Sequence, residues 1–216
     1  MTVIEDVGVA RQARKSGSEP DIAVRSIGRV EYLSTWQAMR AFTLQRNDAT
    51  ADELWLLEHS PVYTVGQGAS VPQVPNAIPV VKTDRGGDIT YHGPGQVVIY
   101  TLVDLARRGV KVKAFVCLLE QAVIDLLGGR AERKPGAPGV YVDGAKIAAL
   151  GIRVVRGRAY HGLALNVDMD LTPFHAIDPC GYPGLRVTQM KDLGFADSVD
   201  TAASRLSRLL MDQLHA

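Results

Sequence analysis

Three apolar stretches between Gly139 and Asp170 follow one another with almost no chain between them: GVYV, AKIAALGIRVV and RAYHGLALNVDMD. The first junction is Asp143-Gly144, a strong signal for a two-residue hairpin turn, and the second is a weaker turn at Arg156-Gly157. Turns this short can only join antiparallel neighbours, because a parallel pair needs a crossover of a dozen residues or more. The stretch therefore reads as a β-meander. Further strands are expected at 21–28, 53–59, 62–66, 78–81 and 96–105, and helices at 32–48, 112–129 and 200–214. In the first helix Tyr32, Trp36, Met39 and Thr43 recur at helical spacing, with Leu33 and Phe42 beside them. In the second, the stripe is Val112, Phe115, Val116, Leu119, Val123, Leu126 and Leu127. The order lacks strict βαβ alternation. It predicts an α+β fold with a mixed, mainly antiparallel sheet flanked by helices.

The 216 residues, 46% hydrophobic and 22% charged, suit one domain with a full core. Residues 1–20 read as a flexible polar extension and 21–216 as a single catalytic domain. A net charge of +1 gives no global attraction to nucleic acid or membrane. No apolar run approaches the roughly 20 residues that span a bilayer. Two distant cysteines, Cys117 and Cys180, suit a reducing cytoplasm without a disulfide framework.

Residues 85–96, RGGDITYHGPGQ, form a polar, glycine-rich segment between two strand-like stretches. Such a loop is either a long structural turn or a binding wall. Gly86 and Gly87 let the backbone approach a ligand, while Arg85 and His92 supply donors. Cys180 stands between Pro179 and Gly181 in a turn, where a thiol is accessible, although an unpaired cysteine is commonly a buried bystander. Lys146 starts a strand, and simple alternation places it on one face with Ala148, Leu150 and Ile152. A lysine on an apolar face loses proton affinity and becomes usable as a base. The alternative is a strand-end lysine snorkelling to water. His161 and Gly162 put an imidazole and a backbone opening on a neighbouring strand. The five histidines show no close pair of metal-ligand spacing, and neither a GxxxxGK[ST] loop nor a GxSxG elbow occurs.

Together, RGGDITYHGPGQ, GVYVDGAKIAALGIRV with HGLALNV, and PCGYPG resemble the lipoyl(octanoyl) transferases, the lipoate-protein ligase B family. The resemblance covers most of 21–195. It implies a fold shared with the catalytic domains of biotin and lipoate ligases. It also implies transfer of an octanoyl group from octanoyl-acyl carrier protein to a lysine of lipoyl domains and of the glycine cleavage H protein, with no cofactor and no metal. In that resemblance Cys180 is the acyl-thioester nucleophile and Lys146 the lysine that tunes it. The substrate-binding segments are Arg85, Gly86, Gly87, Asp88, Ile89, Thr90, Tyr91 and His92, then Ala149, Leu150 and Gly151, then Gly162, Leu163 and Ala164, with His161 beside them. The competing readings are an ATP-dependent lipoate or biotin ligase, a non-catalytic binding module, and a Cys–His hydrolase using Cys180 with His161 or His92. A basic rim for an acidic carrier is expected from Arg153, Arg156 and Arg158 and from Arg107, Arg108, Lys111 and Lys113.

Overall fold

A computed structural model describes residues 22–177 and 184–215. Strand β1 (Ala23–Val30) and helix α1 (Tyr32–Gln45) lead into β2 (Glu53–His59), β3 (Val62–Val65), β4 (Val80–Lys82), β5 (Ile89–His92) and β6 (Gln96–Leu102). Helices α2 (Leu105–Arg108) and α3 (Val112–Leu126) follow. Then come β7 (Glu132–Lys134), β8 (Ala137–Val142), β9 (Ala145–Val155) and β10 (Arg158–Asn166), and α4 (Val199–His215) closes the chain. The main sheet has the order β1-β2-β6-β10-β9-β8-β7, with only β1 and β2 parallel. A small sheet, β4-β3-β5, lies beside it. The α+β, mainly antiparallel expectation holds. Among the described residues, no helix is long and apolar enough to cross a membrane.

Both meander turns are tight. Asp143 and Gly144 have φ of 49° and 78°, and Arg156 and Gly157 have 51° and 78°. Positive φ at both central residues matches the right-handed twist of the paired strands. Helices α3 and α4 cover one face of the sheet, where Phe115, Leu119, Val123, Leu206 and Leu210 meet Val97, Ile99, Ile147, Leu163 and Leu165. Helix α1 covers the other, packing Met39 and Trp36 on Trp55, Leu57, Val98 and Tyr100. Residues Leu33 and Val112, expected on apolar stripes, are exposed. Segment 85–96 also differs from the loop expected of it, because four of its residues form β5. Their alternation is pairwise: Tyr91 and Ile89 join a third cluster with Tyr63, Val65, Met169 and Phe174.

The basic rim is largely drawn inward. Asp52, fully buried, takes Arg46 at 2.5 Å, Arg107 at 2.7 Å and Arg108 at 2.6 Å. Burial alone would raise the Asp52 pKa, but hydrogen bonds from the Asp104 N–H, Arg46 and Arg108 outweigh it and hold it low. Arg158 pairs with Asp104 at 3.2 Å, and Arg153 donates to Gln67 at 2.7 Å. Of the expected rim, Lys111, Lys113 and Arg156 stay exposed. Of the others, Arg107, Arg108 and Arg158 donate to buried carboxylates at the strand ends, while Arg153 holds Gln67 at the surface.

Candidate active site

The register of the central strands explains why small residues gather on the face under α1. Tyr100 of β6 pairs with Gly162 of β10, which pairs with Gly151 of β9. Two residues along, Val98 pairs with Ala164, and Ala164 with Ala149. These two rows floor a cavity whose other sides are Tyr32, Arg85, Gly87, Asp88, Thr90, His92 and His161. Its inner part measures about 40 Å³. Past Gly87, Asp88, Leu150 and Gly151 it adjoins an outer hollow of about 380 Å³, which Gly86 also lines. The structure thus brings together Arg85, Gly86, Gly87, Asp88, Thr90, His92, Ala149, Leu150, Gly151, His161, Gly162, Leu163 and Ala164. It turns Ile89 and Tyr91 away, since they occupy the opposite face of β5.

One row further along stand Gln96 and Asn166. With Thr90, Ala149, Phe174 and Val187 they line a small chamber that contains Lys146. Lys146 does not share a face with Ala148, Leu150 and Ile152, as simple alternation predicts. The β8–β9 pairing steps from Tyr141↔Lys146 to Val140↔Ala148, leaving Ile147 as an extra residue. This β-bulge reverses the pattern. Ile147, Ala148, Leu150 and Ile152 all pack under α3 and α4. Lys146 instead points to the side of Ala149 and Gly151. It is 4% exposed, with its ammonium 5.4 Å from the centre of the Tyr141 ring. Gly139, at φ 137°, makes room, because a Cβ there would overlap Lys146 Cε. A glycine inside a strand is the one sequence signal of this close approach.

Lys146 is also tied to the chain that follows Cys180. Its N–H donates to the Arg186 carbonyl at 2.8 Å, its carbonyl accepts from the Thr188 N–H at 2.9 Å, and it forms a parallel bridge with Val187. Phe174, which precedes Cys180, lines the same chamber. Cys180 itself lies outside the described residues.

Side-chain hydrogen bonds link the cavity wall to the Lys146 chamber. Arg85 donates to the Thr64 carbonyl at 2.5 Å and to the Thr64 hydroxyl at 2.9 Å, which leaves that hydroxyl to donate to His92 Nε2 at 3.3 Å. His92 Nδ1 donates to Gln96 Oε1 at 2.7 Å. Gln96 Nε2 donates to Asn166 Oδ1 at 3.0 Å, and Asn166 Nδ2 to the Thr188 carbonyl at 2.9 Å. The imidazole is therefore neutral with both nitrogens engaged. Burial, then the neighbouring His59, pushes its pKa down to about 3. His161 Nε2 donates to Asp84 at 2.8 Å, and burial lowers its pKa although Asp84 opposes the shift. With both nitrogens engaged, His92 has none left to take a proton from a thiol. Arg85, expected to supply donors to a ligand, ties the glycine-rich loop to β3 through Thr64.

Sequence reasoning missed Asp84, Tyr32, Val98 and Tyr100. Asp84 accepts from Trp36 at 2.8 Å, Tyr160 at 2.5 Å and His161 at 2.8 Å, so it joins α1 and β10 to the glycine-rich loop. Burial would raise its pKa, but those three donors hold it well below the usual carboxylate range. His161 has φ of 62°, a left-handed conformation unusual for a non-glycine residue inside a strand. Among the described residues no three His, Cys, Asp or Glu side chains stand close enough to hold a metal ion.

The largely apolar cleft on the sheet face, walled by the glycine-rich loop and with the Lys146 chamber beside it, is the candidate site. Residues 31–210 match the lipoyl protein ligase A/B catalytic domain. An octanoyltransferase of Aromatoleum aromaticum is 60% identical over 200 residues, covering 90% of this chain and 87% of the relative. One of Thiobacillus denitrificans is 59% identical over 203 residues, covering 92% and 93%. The chain belongs to this family and, within it, to the octanoyltransferases, which are acyltransferases. The fold is similar to that of a lipoate-protein ligase A bound with ATP, with a TM-score of 0.70, 17% identity and coverage of 91% and 86%. It is also similar to that of the biotin protein ligase of Aquifex aeolicus, with a TM-score of 0.54, 10% identity and coverage of 90% and 68%.

Proposed function

We propose that this protein moves an octanoyl group from octanoyl-acyl carrier protein to the lysine of a lipoyl domain or of the glycine cleavage H protein, through an acyl-thioester on Cys180. The observation that carries this reading is the double tether around the Lys146 chamber. Phe174 lines it from the chain before Cys180, and Val187 is bridged to Lys146 from the chain after it.

In the first half-reaction Lys146 takes the Cys180 proton. The thiolate attacks the thioester carbonyl, the carbon–sulfur bond to pantetheine breaks, and Lys146 returns the proton to the departing thiol. In the second, Lys146 removes a proton from the incoming amine as nitrogen attacks octanoyl-Cys180. The amide forms, and the Cys180 sulfur leaves and recovers the proton from Lys146. One lysine acts as base and acid in turn, and no outside energy source is needed because thiol exchange is nearly balanced. The rows Val98, Ala164, Ala149 and Tyr100, Gly162, Gly151 would floor the acyl chain. The 85–88 loop borders this floor, its Gly86 N–H donating to the Ile152 carbonyl of β9 at 3.0 Å.

Intact mass spectrometry after mixing with octanoyl-acyl carrier protein tests the reading. Wild type should gain one octanoyl mass and lose it on adding a lipoyl domain, while Cys180→Ser should gain none. An adduct in both proteins removes Cys180 from its role. The ATP-dependent ligase reading, favoured only by the shared fold, requires lipoyl-domain modification from free octanoate that depends on ATP and Mg²⁺.

A further inference from the structure

We propose that the Tyr32 ring is the wall that limits acyl chain length, an inference that rests on the octanoyl-transfer reading above. Lys146 lies on β9, whereas the opposite side of the cavity is formed by Tyr100 on β6 and Tyr32 from the first turn of α1. Strands β9 and β6 are separated by β10, so this wall stands two strand spacings, about 10 Å, across the sheet from β9, with Tyr100 in the row of Gly151. A chain held by its carbonyl beside Lys146 and passing over Ala149 and Ala164 ends there.

The wall is built not to yield. The Tyr32 ring stacks on His92 with centroids 6.0 Å apart and planes 8° apart, and it meets His59 edge-on at 5.1 Å. Both histidines are themselves fixed. His59 Nδ1 donates to the Val30 carbonyl at 3.0 Å, and its Nε2 accepts from the Tyr100 hydroxyl at 2.6 Å. His92 is held by Gln96. The Tyr32 hydroxyl is buried and makes no hydrogen bond, although Thr83 and Arg85 face it. An orphaned buried hydroxyl on a cavity-lining ring is unfavourable for stability alone. At the end of an acyl lane the ring has a use: methylenes beyond the eighth carbon meet its clamped face.

The test is the ratio of kcat/KM for dodecanoyl- to octanoyl-acyl carrier protein, measured with formation of the acyl-enzyme. Tyr32→Ala should raise this ratio about tenfold or more. Tyr32→Phe retains the ring and should keep the octanoyl preference. If Tyr32→Ala does not fold, Tyr32→Leu reads the same ratio, with a smaller rise expected. An unchanged ratio in a folded Tyr32→Ala or Tyr32→Leu that still forms octanoyl-Cys180 overturns the chain-length wall and leaves the transfer reading intact. Wild type that never forms octanoyl-Cys180 overturns the transfer reading, and this inference with it.

Discussion

Acidification from pH 7.5 to 5 should destabilise the fold through His92 and His59, well before the acyl chemistry is reached. Burial depresses both pKa values, to about 3 for His92 and about 4 for His59, from 6.5. The unfolded chain therefore binds protons below pH 6.5 that the folded chain refuses, and stability falls as pH drops through that window. At pH 5 the folded rings are still neutral, and the unfolded ones lie 1.5 units below their pKa. Each histidine then loses about 2 kcal/mol, and the pair about 4 kcal/mol. The rings are 5.9 Å apart, so they titrate as a pair, but the folded pair takes up little proton above pH 5. Burial moves His161 in the same direction. Asp52 and Asp84, both shifted down, contribute nothing in this window. Urea unfolding at half-unit intervals of pH measures the slope. The single variants His59→Gln and His92→Gln should each remove about half of it. A free energy that changes by less than about 1 kcal/mol between pH 7.5 and 5 would mean that the folded rings accept protons nearly as readily as the unfolded ones, contrary to their burial.

Other expected outcomes follow from single contacts. Asp52→Asn leaves Arg46, Arg107 and Arg108 gathered without their carboxylate and should cost about 3–5 kcal/mol in urea unfolding. Tyr32→Phe removes an orphaned hydroxyl and should raise stability by about 1 kcal/mol, read as a higher urea midpoint at unchanged m. Lys146→Ala should remain folded by circular dichroism yet fail to transfer octanoyl, and full activity would exclude Lys146 from the mechanism. Gly139→Ala should reduce acyl-enzyme formation sharply, since the new methyl overlaps Lys146 Cε. Normal acyl-enzyme yield in that variant would mean that Lys146 has room to spare.

The parts legible in the sequence are those with local causes. Asp143-Gly144 specifies a hairpin because both residues tolerate positive φ, and the meander follows from it. The small residues Ala149, Gly151, Gly162 and Ala164 could be nominated from motif resemblance, and strand register brings them into adjacent rows. What was not legible depends on register and on long-range pairing. Alternation predicts the wrong face for Lys146 because one extra residue, Ile147, is absorbed opposite Val140, and no local pattern announces it. Read without the bulge, Lys146 would point under α3 and α4 with Ala148, Leu150 and Ile152. With it, the ammonium reaches the face that carries the cleft. Tyr32 reads in sequence as one more member of an amphipathic stripe, and Asp84 as a polar loop residue. Their roles come from partners 27 to 77 positions away, His59 for the first and Trp36, Tyr160 and His161 for the second. The bulge is therefore the sharpest test of how this chain makes its site. Deleting Ile147 would remove the bulge and make Lys146 the immediate neighbour of Ala148, so strict alternation keeps Lys146 opposite Tyr141 on the cleft face while the Ile147 side chain is lost from the α3/α4 core. The expected result is a protein destabilised by about 2–5 kcal/mol in urea unfolding that still forms octanoyl-Cys180. A folded deletion variant that forms no octanoyl-Cys180 would show that alternation from Ala148 does not set the direction of Lys146.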